Sequence, residues 1–164
     1  MLYWAAVTVH MLAALFWLGG MFFLGLVGAP VLRGAEPPAL RQQLFHQLGV
    51  RFRAAGWTAI VVLIVTGTIA LHYRGWLHWP GVLGAPTFWR TGTGHALAAK
   101  LGAVAVMVVI SALHDFVLGP AAGRAAAGSP DALRLRSRAA LLARVNALVG
   151  VVVVLAAVRL ARGG

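Results

Sequence analysis

The chain has 164 residues, 61% of them hydrophobic and only 10% charged, a balance that excludes an ordinary soluble domain and makes the bilayer the relevant solvent. The formal net charge of +11 comes from arginines clustered between apolar runs, which speaks for membrane topology and against a nucleic-acid partner. The lack of cysteine excludes iron–sulfur clusters, thiolate copper sites, covalently attached haem and disulfides, so any metal must use His, Met, carboxylate or backbone.

Crossing the hydrocarbon core takes roughly 20 apolar residues. The first such stretch runs from about Leu2 to Val27 and lacks the positive start and short apolar core of a signal peptide, so it is read as a retained helix. His10, Trp17, Gly20 and Leu24 recur along it at helical spacing, with Gly19 alongside, so one stripe combines an imidazole, a large aromatic and close-packing glycines. That stripe faces protein.

The following segment carries Arg33, Arg41, Arg51 and Arg53, and from Pro37 to Phe52 its mixed spacing after a Pro-Pro start predicts a helical extension of the second span. The second span covers about Ala54 to Leu77 and holds His72. Counted from the helix ends at 1.5 Å per residue, His10 lies ~12 Å and His72 ~9 Å from the same membrane face, which puts them at comparable depth. The loop from His78 to Gly94, rich in Gly, Pro and Trp, reads as a lid along the membrane surface.

The third span runs from about His95 to Leu118. Lys100, the only lysine, is followed by Val104, Met107, Ser111 and His114 at i, i+3, i+4 spacing, giving a polar-tinted face along the helix. Ionisable groups inside a span are functional candidates by default. Lys100 suits a haem propionate, a substrate carboxylate or a proton, and its long stem also permits plain snorkelling to the headgroups. His95 and His78 are more accessible. Gly119 to Pro130 reads as a small, flexible connector. The fourth span, about Ala139 to Val158, starts with Arg144 and Asn146, so an Asp115–Arg144 or Asn146–His114 contact across the hairpin is expected.

The second arginine group, Arg124, Arg134, Arg136 and Arg138, joins the first in facing the cytoplasm by the positive-inside rule. Tyr3, Trp4, Tyr73, Trp76, Trp79 and Trp89 fall at the opposite end, as interfacial aromatics do. The expected architecture is an all-α, integral membrane four-helix bundle, a single transmembrane domain over residues 1–164. Both termini are non-cytoplasmic, and the chain is multi-pass in the cell inner membrane.

The helix VHMLAALFWLGGMFFLGLVGAP, the basic start and Thr66-Gly67 of RFRAAGWTAIVVLIVTGTIAL, and the Lys100-led AAKLGAVAVMVVISALHDFVLGP resemble the copper-resistance D (CopD) family and the related HemJ-type protoporphyrinogen oxidases. The resemblance implies that the first-helix histidine, His10, engages haem b or copper and that Lys100 supports function. Full CopD proteins are longer.

Four readings follow. The first is a haem b protein with a redox or electron-transfer role and an unassigned redox partner, in which His10 and His72 ligate the iron, Lys100 meets the propionates, and Trp17 and Gly20 line the cofactor. The second is CopD-like copper handling or transport through His10, His72, His95 and Met107 or Met11, with His114 as a further metal-ligand candidate. A protoporphyrinogen oxidase and a membrane scaffold complete the set. The exposed helix surface also predicts a homo-oligomer.

Overall fold

The computed structural model describes residues 1–78, 81–126 and 128–163; Trp79, one of the expected interfacial aromatics, lies outside them. Four helices, α1 (Leu2–Arg33), α2 (Pro38–Tyr73), α3 (Gly92–Arg124) and α4 (Pro130–Ala161), are each long and apolar enough to cross a bilayer. At 1.5 Å per residue each exceeds ~45 Å, well beyond a hydrocarbon core of ~30 Å. The fold is all-α, with α1 packed along α2 and α3 along α4. Large apolar side chains such as Leu12, Phe16, Ile64, Val109 and Leu155 point outward, as lipid-facing residues do.

Both α1 and α3 contain one wide π turn, Leu24–Gly28 and Leu113–Leu118, in which Ala29 N–H reaches Leu24 O and Gly119 N–H reaches His114 O. Pro30 and Pro120 follow directly. A proline has no N–H to give and its ring crowds the carbonyl one turn back; the wide turn relieves that crowding, so each helix continues instead of breaking. The expected connector from Gly119 therefore begins as helix and runs to Arg124.

Two other ends differ from the sequence reading. α2 stops at Tyr73 because Gly75 adopts φ +73° and closes a Schellman cap, with Gly75 N–H on His72 O and Trp76 N–H on Leu71 O. α4 starts at Pro130, well before Ala139, because Ser129 caps it by accepting from Ala132 N–H at 3.2 Å. At that end Gln42 donates to Gly123 O and Ala125 O and accepts from Arg136, tying the α2 extension to the α3–α4 turn.

Trp17, Ala59, Ile60 and Met107 form the buried core, with Met21, Trp57, Leu63, Val108, Val149 and Val153 packed against it. Glycines set the helix spacing: Gly56 faces the Trp17 indole, Gly20 meets the Phe52 ring and Gly150 meets Leu18 and Met107.

Gly94, in the first turn of α3, is a tightly constrained close approach, since a Cβ there would collide with the Phe88 carbonyl and the Trp89 backbone. Gly94→Ala is expected to destabilise the chain by about 1–3 kcal/mol through forced backbone movement. Thermal unfolding in detergent reads it, with Gly102→Ala, where a Cβ meets open space, as the control.

Candidate functional site

Three polar centres lie along the bundle. The first is built on His10, half-buried on α1. Its Nδ1 lies 2.9 Å from Thr66 Oγ1 on α2, and the Thr66 hydroxyl in turn donates to Val62 O at 2.6 Å. The single hydroxyl proton is committed to Val62, so the Thr66 oxygen accepts from His10 Nδ1–H. That fixes the imidazole tautomer and leaves Nε2 as a free lone pair, the arrangement found where a second polar group orients a metal-binding histidine. Gly67 lies beside the ring, where a Cβ would sit 3.4 Å from His10 Cε1, in ordinary contact. Lys100 lies within Coulombic reach of His10, and Arg74 within reach of Lys100. Among the described residues Lys100 has no ion-pair or hydrogen-bond partner.

The second centre is apolar in its surroundings. Asn146 on α4, only 4% exposed, donates from Nδ2 to Ser111 Oγ at 2.9 Å and to Met21 Sδ at 3.6 Å. Its Oδ1 is buried without a partner. The third centre lies in the π turn of α3. Asp115 accepts from His114 Nδ1 at 2.9 Å and from Trp57 Nε1 at 3.0 Å, while Arg53 donates to the Asp115 carbonyl and lies over the Phe116 ring. His114 too keeps Nε2 free.

Several sequence-based expectations change here. His10 lies level with Thr66, six residues deeper along α2 than His72, so the two imidazoles are separated by ~9 Å along the helix axis and do not face one another at one depth. His72 is exposed at the end of α2 and stacks on His78 of the loop, with ring centroids 5.4 Å apart. His10 and His72 therefore do not bracket an interhelical cleft of the kind a bis-histidine haem needs. Asp115 pairs with α2 and not with Arg144, and Asn146 meets Ser111 and not His114. Trp17 is core beside Gly56, Gly20 packs on Phe52, and Met11 and His95 are exposed. Among the described residues no group of three or more His, Cys, Asp or Glu side chains could hold a metal ion.

Sequence reasoning missed Met21, and it named Thr66 only as part of a family pattern. A threonine in an apolar span opposite a histidine was the available signal for Thr66. Nothing in the spacing of Met21 distinguishes it from core.

Residues 46–160 match the family described as Copper resistance protein D. An uncharacterized protein of Aquifex aeolicus (strain VF5) is 33% identical over 112 residues, 68% of this chain and 66% of that protein, so the chain spans just under two thirds of that relative's length. No solved structure matches. The matched segment takes in Thr66, Gly67, Lys100, Met107, Ser111, Asp115 and Asn146 and leaves all of α1, with His10 and Met21, outside it. A match across more than half of the chain, on a frame of four helices that fit a multi-pass membrane protein, places this protein in the copper resistance protein D family.

Proposed function

We propose that the chain binds copper ions within the membrane and passes them along the bundle, with His10 as the ligand that the path depends on. The observation that carries this is the Nδ1–H to Thr66 to Val62 relay, which presents an uncommitted Nε2 inside an apolar bundle. A neutral imidazole is a good copper donor, and in a chain without cysteine the remaining soft donors are thioethers. The stacked His72–His78 pair supplies an approach at one end, and His114, held by Asp115, supplies an exit donor at the other. Copper is the cargo in this reading and not a resident cofactor. Lys100, within Coulombic reach of His10, would disfavour any cation there, which lowers the affinity of the site and favours release over retention.

The same reading sets the arginine-rich ends of α1 and α3 and the starts of α2 and α4 in the cytoplasm, with both termini and the Trp76–Trp89 loop outside, in the cell inner membrane. One transmembrane domain is proposed for residues 1–164, and self-association would cover part of the outward apolar surface. Cell-associated copper, measured in cells carrying an empty vector, the native chain or His10→Ala, tests the function. The expected result is a change in copper content with the native chain that His10→Ala returns to the vector level; identical copper in all three overturns the reading.

Lys100 near His10 is the one observation that favours a second reading, a haem b or other tetrapyrrole ligand whose carboxylates meet the ammonium. When bound, a haem would supply redox chemistry. The separation of His10 from His72 leaves it one axial histidine at most.

A further inference from the structure

Lys100 carries a charge that no acidic side chain can neutralise. The sequence holds three acidic residues, and all lie toward the other end of the bundle: Glu36 between α1 and α2, Asp115 in the π turn of α3 and Asp131 in the first turn of α4. Asp115 is ~22 Å from Lys100 along α3 at 1.5 Å per residue, and its carboxylate already accepts from His114 and Trp57. The position of Lys100 is inward. Leu97 and Met107, one turn before it and two turns after it on the same face of α3, are each only 2% exposed. Lys100 therefore stands, half-buried, between two filled core positions, where an unpaired charge is costly.

The same end of the bundle is marked by Tyr3 of α1 against Tyr73 of α2. Counted from that end, Lys100 lies ~12 Å from Gly92, His10 ~12 Å from Leu2 and Thr66 ~10 Å from Tyr73. The three share one level, and Lys100 is within Coulombic reach of His10. The entrance above them is also basic. Arg74, within Coulombic reach of Lys100, lies over the Trp76 ring at 5.4 Å, and Arg90 stands just before α3. With no acidic side chain at that end, the entrance repels a bare cation and draws in anions.

A bare copper ion would meet that repulsion twice, at the entrance and at His10. Cu(I) is soft, and in chloride-containing water it is carried as chlorido complexes that are neutral or negative, which have the sign of charge that Arg74 and Lys100 attract. We propose that Lys100 binds chloride and that copper occupies His10 with this chloride as a co-ligand, so that metal and anion load together and copper is released when the anion leaves. The pairing with copper rests on the copper-handling reading; the chloride site does not. An incoming dichlorido complex gives up one chloride to water as His10 Nε2 takes its place. The other chloride stays between the metal and the ammonium, and copper remains Cu(I) throughout.

Thermal unfolding of the copper-free full chain in detergent tests the chloride site, in sodium chloride against sodium gluconate of equal ionic strength, whose anion is too large for a position between Leu97 and Met107. Chloride is expected to raise the melting temperature of the native chain along a saturating curve, and to leave Lys100→Leu and Lys100→Gln unchanged. Equal melting temperatures of the native chain in the two salts, as for an amine that is neutral or reaches water, overturn the proposal, as does a chloride effect that persists in both variants. Competition with a Cu(I) chelator tests the pairing, with native and Lys100→Leu measured in the same salt so that complexation by free chloride cancels. In gluconate Lys100→Leu is expected to bind copper at least severalfold more tightly than the native chain, and in chloride the native chain recovers that difference. A ratio that is the same in both salts overturns the pairing and leaves the chloride site standing. Copper K-edge absorption of the native chain in sodium bromide needs no variant: a bromine neighbour beside nitrogen is expected, and nitrogen without bromine overturns the pairing. Chloride binding at Lys100 in a chain that takes no copper overturns the copper-handling reading and the pairing, and supports the chloride site alone.

Discussion

Thr66→Val is expected to weaken Cu(I) binding at His10 by about 10–100-fold, the usual cost of removing the group that orients a ligating imidazole, while Thr66→Ser restores it. Valine has the shape of threonine but cannot accept His10 Nδ1–H, so the ring must either bury an unmet donor or turn Nε2 toward α2 for another partner. The first adds the cost of an unmet donor to the Nε2-liganding tautomer and the second removes the free lone pair from the interior, so both weaken the site. Serine keeps the oxygen, which still accepts once its own proton reaches the Val62 carbonyl. A structural role alone would give loss of stability in the valine variant with normal affinity in the folded fraction. Affinity is read by competition with a chelator.

Asp115→Ala is expected to destabilise the protein by about 2–3 kcal/mol, because it strips acceptors from two donors at once, Trp57 Nε1 and His114 Nδ1, in a largely apolar setting. By the size scaling of thermal unfolding this lowers the melting temperature by roughly 5–10 °C. The Arg53 contact survives, as it goes to the backbone carbonyl of residue 115 and not to the side chain. Asp115→Asn should recover part of the loss, since its amide oxygen still accepts from one donor. Thermal unfolding of the detergent-solubilised chain checks the order native, Asn, Ala. Equal stability of all three would mean that Trp57 and His114 find partners elsewhere.

The four helices were legible because each carries more than roughly 20 apolar residues, and nothing but a helix satisfies its backbone in lipid. Their ends were less so. Arg134, Arg136 and Arg138 read as a loop by charge, yet they lie along α4, which runs beyond any bilayer thickness. The charge cluster marks where the membrane stops, not where the helix does. His72 was misjudged in depth because the span was counted to Leu77, whereas the Gly75 cap ends α2 at Tyr73.

His10 was visible as a polar residue in an apolar run, but its partner was not. Pairing it with Thr66 requires the rotation of two helices about their axes, which composition does not encode. The π turn explains the misplaced partner of Asp115. One extra residue in the turn shifts the faces that follow by about 100°, which swings Asp115 from α4 toward Trp57 and Arg53 of α2. Asn146 was legible as a rare polar residue, but its Ser111 and Met21 contacts depend on the close approach of α4 at Gly150.

The most direct test of the copper reading is to measure copper content and the visible absorption spectrum on the same purified full chain, native and His10→Ala, after expression with copper and a haem supply. The account predicts a protein without a Soret band that carries copper, with the copper reduced in His10→Ala. A Soret band that disappears in His10→Ala, with no bound copper in either form, would contradict it and make His10 a haem ligand instead.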